Sequence, residues 1–308
     1  VTGISTGLTQ GFSIQLSQYY GAKDFENLRK SLAHSYRLTA FIAAGVLILS
    51  QSFASLVLTG LHTPSNIIGM SLLYLRIIFC GIPATAAYNM FASALRAMGN
   101  SKTPLTAMII ASVLNVSLDI LFVAGFGWGV AGAAIATVIA QSFSAVYCFL
   151  ILRRIDIVHL TRADFMPASG MNARLMKLGI PVVFQNIIIG VGGLVVQYVI
   201  NGYGFLFVAG FTATNKLYGL LEMAAISYGY AIVTYVGQNL GAGKIDRIRK
   251  GVRSSMLLSL LTSLIISAAM FLFGKNILSL FISGEPQQTQ QVLAIAFKSL
   301  SIMAAMLW

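Results

Sequence analysis

The 308-residue chain is 57% apolar and only 9% charged, with a mean hydropathy of +0.83. Those values exclude a water-solvated domain, in which about 25% of residues carry charge. The net charge of +12 would suit a nucleic-acid binder, so where the cations lie has to be read before their number is interpreted.

Apolar runs close to the ~20 residues that cross ~30 Å of hydrocarbon recur along the chain. Nine are predicted, at residues 1–20, 38–60, 66–95, 104–124, 129–152, 178–201, 205–239, 252–273 and 289–308. The first carries Gly3, Gly7 and Gly11, four apart on one face, a spacing that marks close helix packing. After it comes "SQYYGAKDFENLRKSL" from Ser17, which returns as "GQNLGAGKIDRIRKGV" from Gly237 at an offset of 220, with Gly21 on Gly241 and Arg29 and Lys30 on Arg249 and Lys250. A second pair, "TPSNIIGMSLLYLRI" from Thr63 and "EPQQTQQVLAIAFKS" from Glu285, sets Pro64 on Pro286 and Arg76 on Lys298. Such overlays imply internal duplication. The two copies of the first pair are six crossings apart and so face the same side, which makes the repeats parallel six-helix bundles about an axis along the membrane normal. Twelve helices complete that plan, so the chain reads as a fragment lacking one helix before residue 1 and the rest of the second bundle after residue 308.

The fourth span holds one of two intramembrane carboxylates, Asp119, with Asn115 one turn away and about 40° off the same face. A carboxylate at depth is expensive in lipid and is a functional candidate by default, as a carrier of a proton or a small cation. Counted from the turn at Gly125–Gly129, Asp119 lies ~9 Å down its helix and Asn115 ~15 Å, with Thr137 of the next helix ~12 Å down between them. Carboxylate, amide and hydroxyl therefore converge as an oxygen-rich site suited to H⁺ or Na⁺, the latter being the one metal ion in view. The bland alternative is an interhelical hydrogen-bond clamp. "GWGVAG" at Gly127 spells a dinucleotide fingerprint but follows a membrane span instead of a strand, so a tight glycine turn is the better account.

Cys80 and Cys148 lie within spans and read as packing residues; His34, His62 and His159 stand singly, without metal-ligand spacing, and read as interfacial. Residues 153–177, polar and holding Pro167 and Gly170, form the linker between an amino-terminal lobe at 1–152 and a carboxyl-terminal lobe at 178–308. The seventh span carries Lys216 and the second carboxylate, Glu222, about 120° apart and so not a local pair. Glu222 is either a cavity group or half of a structural pair, and Arg76 and Lys298 suit symmetric packing or snorkelling.

Sixteen of the 20 cations fall in alternate loops: Lys23, Arg29, Lys30 and Arg37; Arg96 and Lys102; Arg153, Arg154, Arg162, Arg174 and Lys177; Lys244, Arg247, Arg249, Lys250 and Arg253. This is the positive-inside pattern, so the basic loops are expected in the cytoplasm of a multi-pass cell-membrane protein, and the charge needs no nucleic acid.

The chain resembles the multidrug and toxic compound extrusion family. The points of similarity are "GAKDFENLRK", "VGQNLGAGKIDRIRK", "ALRAMGNSKTP", "NVSLDILF" and "GVAGAAIATVIAQ", which together cover nearly the whole sequence. The resemblance implies a monomeric, all-α secondary antiporter, not an enzyme and without a cofactor, spanning the second to the tenth family helix. Such proteins export amphipathic, often cationic drugs against inward H⁺ or Na⁺. Their amino-lobe cation site matches Asn115, Asp119 and Thr137. Where some sodium-coupled members carry an acidic residue on the seventh helix, "VVFQNIII" has Gln185; with Glu222 and Lys216 it completes the candidate central-cavity residues. The alternative is a lipid-linked oligosaccharide or lipid-precursor flippase, whose cavity would need the cations Lys216, Arg76 and Lys298. An intramembrane enzyme would need clustered catalytic groups that the acidic residues do not form.

Overall fold

The computed structural model describes residues 2–60, 65–279, 282 and 286–306; His62, Thr63, Pro64 and Glu285 lie outside them. The described chain is helical from end to end: α1 (Thr2–Gly21), α2 (Phe25–Gly60), α3 (Ser65–Cys80), α4 (Ile82–Ala97), α5 (Lys102–Asp119), α6 (Gly129–Arg153), α7 (Met171–Asn201), α8 (Phe205–Gly241), α9 (Ile245–Ser279) and α10 (Pro286–Ala305). By length and hydropathy, six segments of the described residues qualify as membrane spans, among them Phe25–Gly60, Lys102–Gly125 and Ile245–Ser279. Large apolar side chains such as Phe41 at 80%, Leu194 at 72% and Leu272 at 73% are left exposed, as suits helices that cross a membrane. The chain is an all-α, multi-pass membrane protein.

Two of the expected boundaries shift. The third span, expected as one run over 66–95, is broken at Gly81, where Pro83 supplies no backbone donor and a Cβ on Gly81 would meet Val138 Cγ2 at 2.8 Å. The basic segment after the first span is mostly helix, because α2 has 36 residues, about 54 Å, and overshoots the hydrocarbon. Its start is fixed by Asp24, whose carboxylate accepts from the Asn27 N–H at 3.1 Å and the Asn27 amide at 2.7 Å.

The duplication is visible in backbone conformation. The turn after α1 places Lys23 at φ 58°, and the turn after α8 places Gly243, the residue 220 positions on, at φ 70°. Lys23 is the one left-handed non-glycine residue among those described, in a conformation costing an L-residue roughly 1–2 kcal/mol.

Two compact units divide the chain, residues 1–187 with 240–243 and residues 188–239 with 244–308, so the boundary falls within α7. In the first, α1 packs against α2 and α4, with Phe12, Leu16, Leu32 and Leu95 almost wholly buried. α1 is rich in Ser and Thr yet buried, because its hydroxyls bond their own helix: Thr9 to the Ser5 carbonyl at 2.9 Å, Ser13 to Gln10 at 2.7 Å and Ser17 to Ile14 at 2.8 Å. The glycine stripe is where α7 crosses. A Cβ on Gly7 would lie 2.9 Å from the Val183 backbone, and one on Gly11 would overlap the backbone of Gly179. In the second unit Leu217, Met270, Leu278 and Leu300 form a separate core.

The linker residues fold as two 3₁₀ turns, Asp156–Val158 and Arg162–Phe165, laid on α2. His34, expected as an interfacial side chain, is instead only 1% exposed. It ties this strap down through Asn172 Oδ1 at 2.7 Å and the Met166 carbonyl at 3.1 Å.

Gly11→Val is expected to destabilise the complete protein by at least the ~1–3 kcal/mol typical of overpacking, read as a lower melting temperature by fluorescence-detected size exclusion. Gly45→Val, where a Cβ meets nothing within 4 Å, should leave it unchanged.

Candidate functional site

Asp119 is the last residue of α5. From Ile120 to Gly125 the ladder continues in π register, and the chain turns through Phe126–Trp128 into α6. A π segment closes its hydrogen bonds over one more residue than an α-helix does and is a common device beside functional side chains. Here it is closed by the Phe126 N–H to the Leu121 carbonyl and the Trp128 N–H to the Phe122 carbonyl, both at 2.9 Å. Phe122, Phe126 and Trp128 stack over the turn with centroids 5.0–6.0 Å apart. Gly127 (φ 67°) and Gly129 (φ 53°) make the turn itself, and Gly132 lets α6 approach so closely that a Cβ there would meet Phe122 Cβ at 2.9 Å. "GWGVAG" is thus a tight interhelical turn.

Asn115 and Asp119 are both half-buried on α5, one turn apart, and Thr137 is half-buried on α6, which packs along α5. None of the three hydrogen-bonds another. Asn115 Nδ2 and Asp119 Oδ1 are buried with no partner among the described residues, and the Thr137 hydroxyl donates to its own helix at the Ala133 carbonyl, 3.0 Å away. A side-chain clamp is therefore not what these atoms form. The donor set fits a small cation: one carboxylate, one amide that can present its oxygen by a flip, and one hydroxyl whose lone pairs are free because its proton is engaged. Leaving the carboxylate and amide atoms buried and unpartnered costs on the order of 1–3 kcal/mol each.

The remaining candidates are distributed. Gln185 is exposed on α7 and its side chain makes no hydrogen bond among the described residues; its neighbour Asn186 donates to the Gly3 carbonyl at 3.0 Å. Lys216 lines a cavity of about 320 Å³ in the second unit with Thr212, Gln288 and Thr289, and the Thr289 hydroxyl is buried without a partner among the described residues. Glu222 is exposed further along α8, does not line that cavity, and makes no ion pair among the described residues. Arg76 and Lys298 are likewise exposed and unpaired among those residues; the Arg76 carbonyl accepts from Gln51 at 2.9 Å.

Sequence reasoning missed the π segment, because "ILFVAG" carries no composition signal distinguishing π from α register. It also missed Thr39, a lone hydroxyl in an apolar run, which is 8% exposed, unpartnered among the described residues and lines a second cavity.

The family model described as MatE matches residues 1–122 and 181–307. The chain is similar to the probable multidrug resistance protein YoeA of Bacillus subtilis, 28% identical over 304 residues, covering 96% of this chain and 65% of that protein. It is also similar to the probable multidrug resistance protein YpnP of the same organism, 32% identical over 277 residues, covering 90% of this chain and 62% of that protein. The chain thus spans just under two thirds of these relatives. Its fold matches the solved structure of a MOP superfamily transporter from Pyrococcus furiosus with a TM-score of 0.90 at 20% identity, over 99% of this chain and 68% of the other.

Asn115→Leu removes a buried donor that has no partner among the described residues. The melting temperature of the complete protein should then rise by the equivalent of about 1 kcal/mol; a fall would show that the amide has a partner.

Proposed function

Because the chain belongs to the multidrug and toxic compound extrusion family, we propose that the complete protein is a secondary antiporter exporting amphipathic, cationic compounds in exchange for H⁺ or Na⁺. The observation that carries this reading is the buried, unpartnered Oδ1 of Asp119 within a membrane helix. A carboxylate that is costly to keep and has a buried oxygen without a partner among the described residues is a cation ligand in waiting. Asp119 holds the proton or Na⁺, Asn115 and Thr137 complete the oxygen set, and the π segment at Ile120–Gly125 is the adjacent backbone able to change register. The amino-terminal lobe at 1–152 and the carboxyl-terminal lobe at 178–308, joined by the strap at 153–177, expose the substrate to one side of the membrane and then the other. Glu222, Lys216 and Gln185, the candidate central-cavity residues of the sequence, are candidates to contact the substrate. Ion and drug favour opposite states, and a difference of a few kcal/mol is enough to couple them. The protein acts as a monomer in the cytoplasmic membrane with its basic loops inside.

A flippase reading has one observation in its favour, the Lys216 cavity, whose ammonium and hydroxyls suit an anionic headgroup.

The test is dye efflux from vesicles carrying the complete protein, driven in turn by a pH and a Na⁺ gradient. Efflux is expected under one of them, and Asp119→Asn should reduce it to the level of protein-free vesicles with an unchanged melting curve. Normal efflux in that variant removes Asp119 from the mechanism. No efflux under either gradient, with lipid transfer abolished by Lys216→Gln, establishes the flippase instead.

A further inference from the structure

Two cavities of the first unit share Tyr36 and Phe149 as a common wall. One, of about 380 Å³, is an apolar trough floored by Ala43, Ala86 and Met90 between α2 and α4. The other, of about 300 Å³, lies where α6 ends against the strap and is lined by Arg153, His159 and Phe165 among others. The trough exists because α2 and α4 present alanines where larger side chains would close it. Both volumes fall in the ~300–1,000 Å³ range of small-molecule sites.

The shared wall is built from aromatic rings. Tyr36 stands edge-on to Phe91 at 5.4 Å, and Phe91 tilts against Phe149 at 5.3 Å. Thr39, one turn beyond Tyr36 along α2, also lines the trough, and its hydroxyl is buried and unpartnered among the described residues. On the other side of the wall lies an uncommitted cation, Arg153, beside the ring of His159. Neither the Arg153 guanidinium nor the His159 ring makes an ion pair or hydrogen bond among the described residues. The carboxylates nearby are engaged: Asp164 lies 3.7 Å from Arg29 and accepts from the Thr161 N–H and hydroxyl, and Glu26 pairs with Lys30 at 2.6 Å. Asp156, on the same strap, lines neither cavity.

We propose that this pair of cavities binds an anionic phospholipid of the leaflet facing the basic loops. Its phosphate meets Arg153 and His159, and one acyl chain lies in the alanine trough. The trough is what a free phosphate would have no use for, and the basic mouth is what a neutral lipid would not need. Anionic lipids are concentrated at cytoplasmic surfaces by the same electrostatics. The site is separate from Asp119, so its test does not depend on transport.

Native mass spectrometry of the complete protein, equilibrated with phosphatidylglycerol and phosphatidylcholine of the same acyl chains, reads the preference directly. Phosphatidylglycerol is expected to be retained over phosphatidylcholine, and R153Q with H159Q should cut that preference roughly fivefold, the loss of one arginine charge. Ala43→Phe, which fills the trough, should remove both lipids. If it fails to fold, the exposed pair R153Q and H159Q decides. Equal retention of the two lipids by the unaltered protein, an unchanged preference in the double variant, or displacement of the lipid by millimolar inorganic phosphate would each overturn the proposal.

Discussion

In hydrocarbon, a polar atom without a protein partner has no water to turn to, and this constraint organises the whole chain. Many of the buried polar groups meet it locally. The serines and threonines of α1 fold back onto carbonyls three or four residues earlier, so a helix of modest hydropathy can be one of the most buried elements of its unit. Asn186 caps a carbonyl at the start of α1, and His34 satisfies both ring nitrogens against the strap. Gln15, Ser31, Ser35, Thr39 and Thr289 each keep a buried polar atom without a partner among the described residues, and so do Asn115 and Asp119. Of these only Asp119 is a carboxylate, and it stands one turn from Asn115 on α5, where a purely structural role would have been served better by leucine.

The same constraint explains the local architecture around them. A straight α5 would run its ladder unbroken into the turn, whereas the π segment immediately after Asp119 relaxes it at the point where the carboxylate stands. Gly127, Gly129 and Gly132 then bring α6 back close enough for Thr137 to share the helix interface with α5. At the other end of the first unit, Gly11 and Gly179 allow α1 and α7 to meet backbone to backbone, which fixes a rigid frame without any apolar driving force between helices.

Much of this was legible in the residues because membrane spans announce themselves by length and charge placement. The duplication surfaced as a 220-residue offset and reappears as matched left-handed turns at Lys23 and Gly243. The clustering of Asn115 and Asp119 followed from helical periodicity alone. What was not legible depended on long-range geometry. The close approach of Val138 at Gly81 comes from another helix, and the partner that buries His34 is Asn172, 138 positions away. The π register has no side-chain signature, and a single threonine at 39 gains meaning only once the alanines of α4 lie opposite it.

The central claim is that the Asp119 carboxylate is a ligand site for a cation and not a packing residue. Carbodiimide modification of the complete protein in membranes, mapped by mass spectrometry, addresses it most directly. The account predicts that Asp119 is labelled and that Na⁺, or a raised pH, slows the labelling. A carboxylate that resists the reagent under every condition, or reacts at a rate indifferent to Na⁺ and pH, would contradict it.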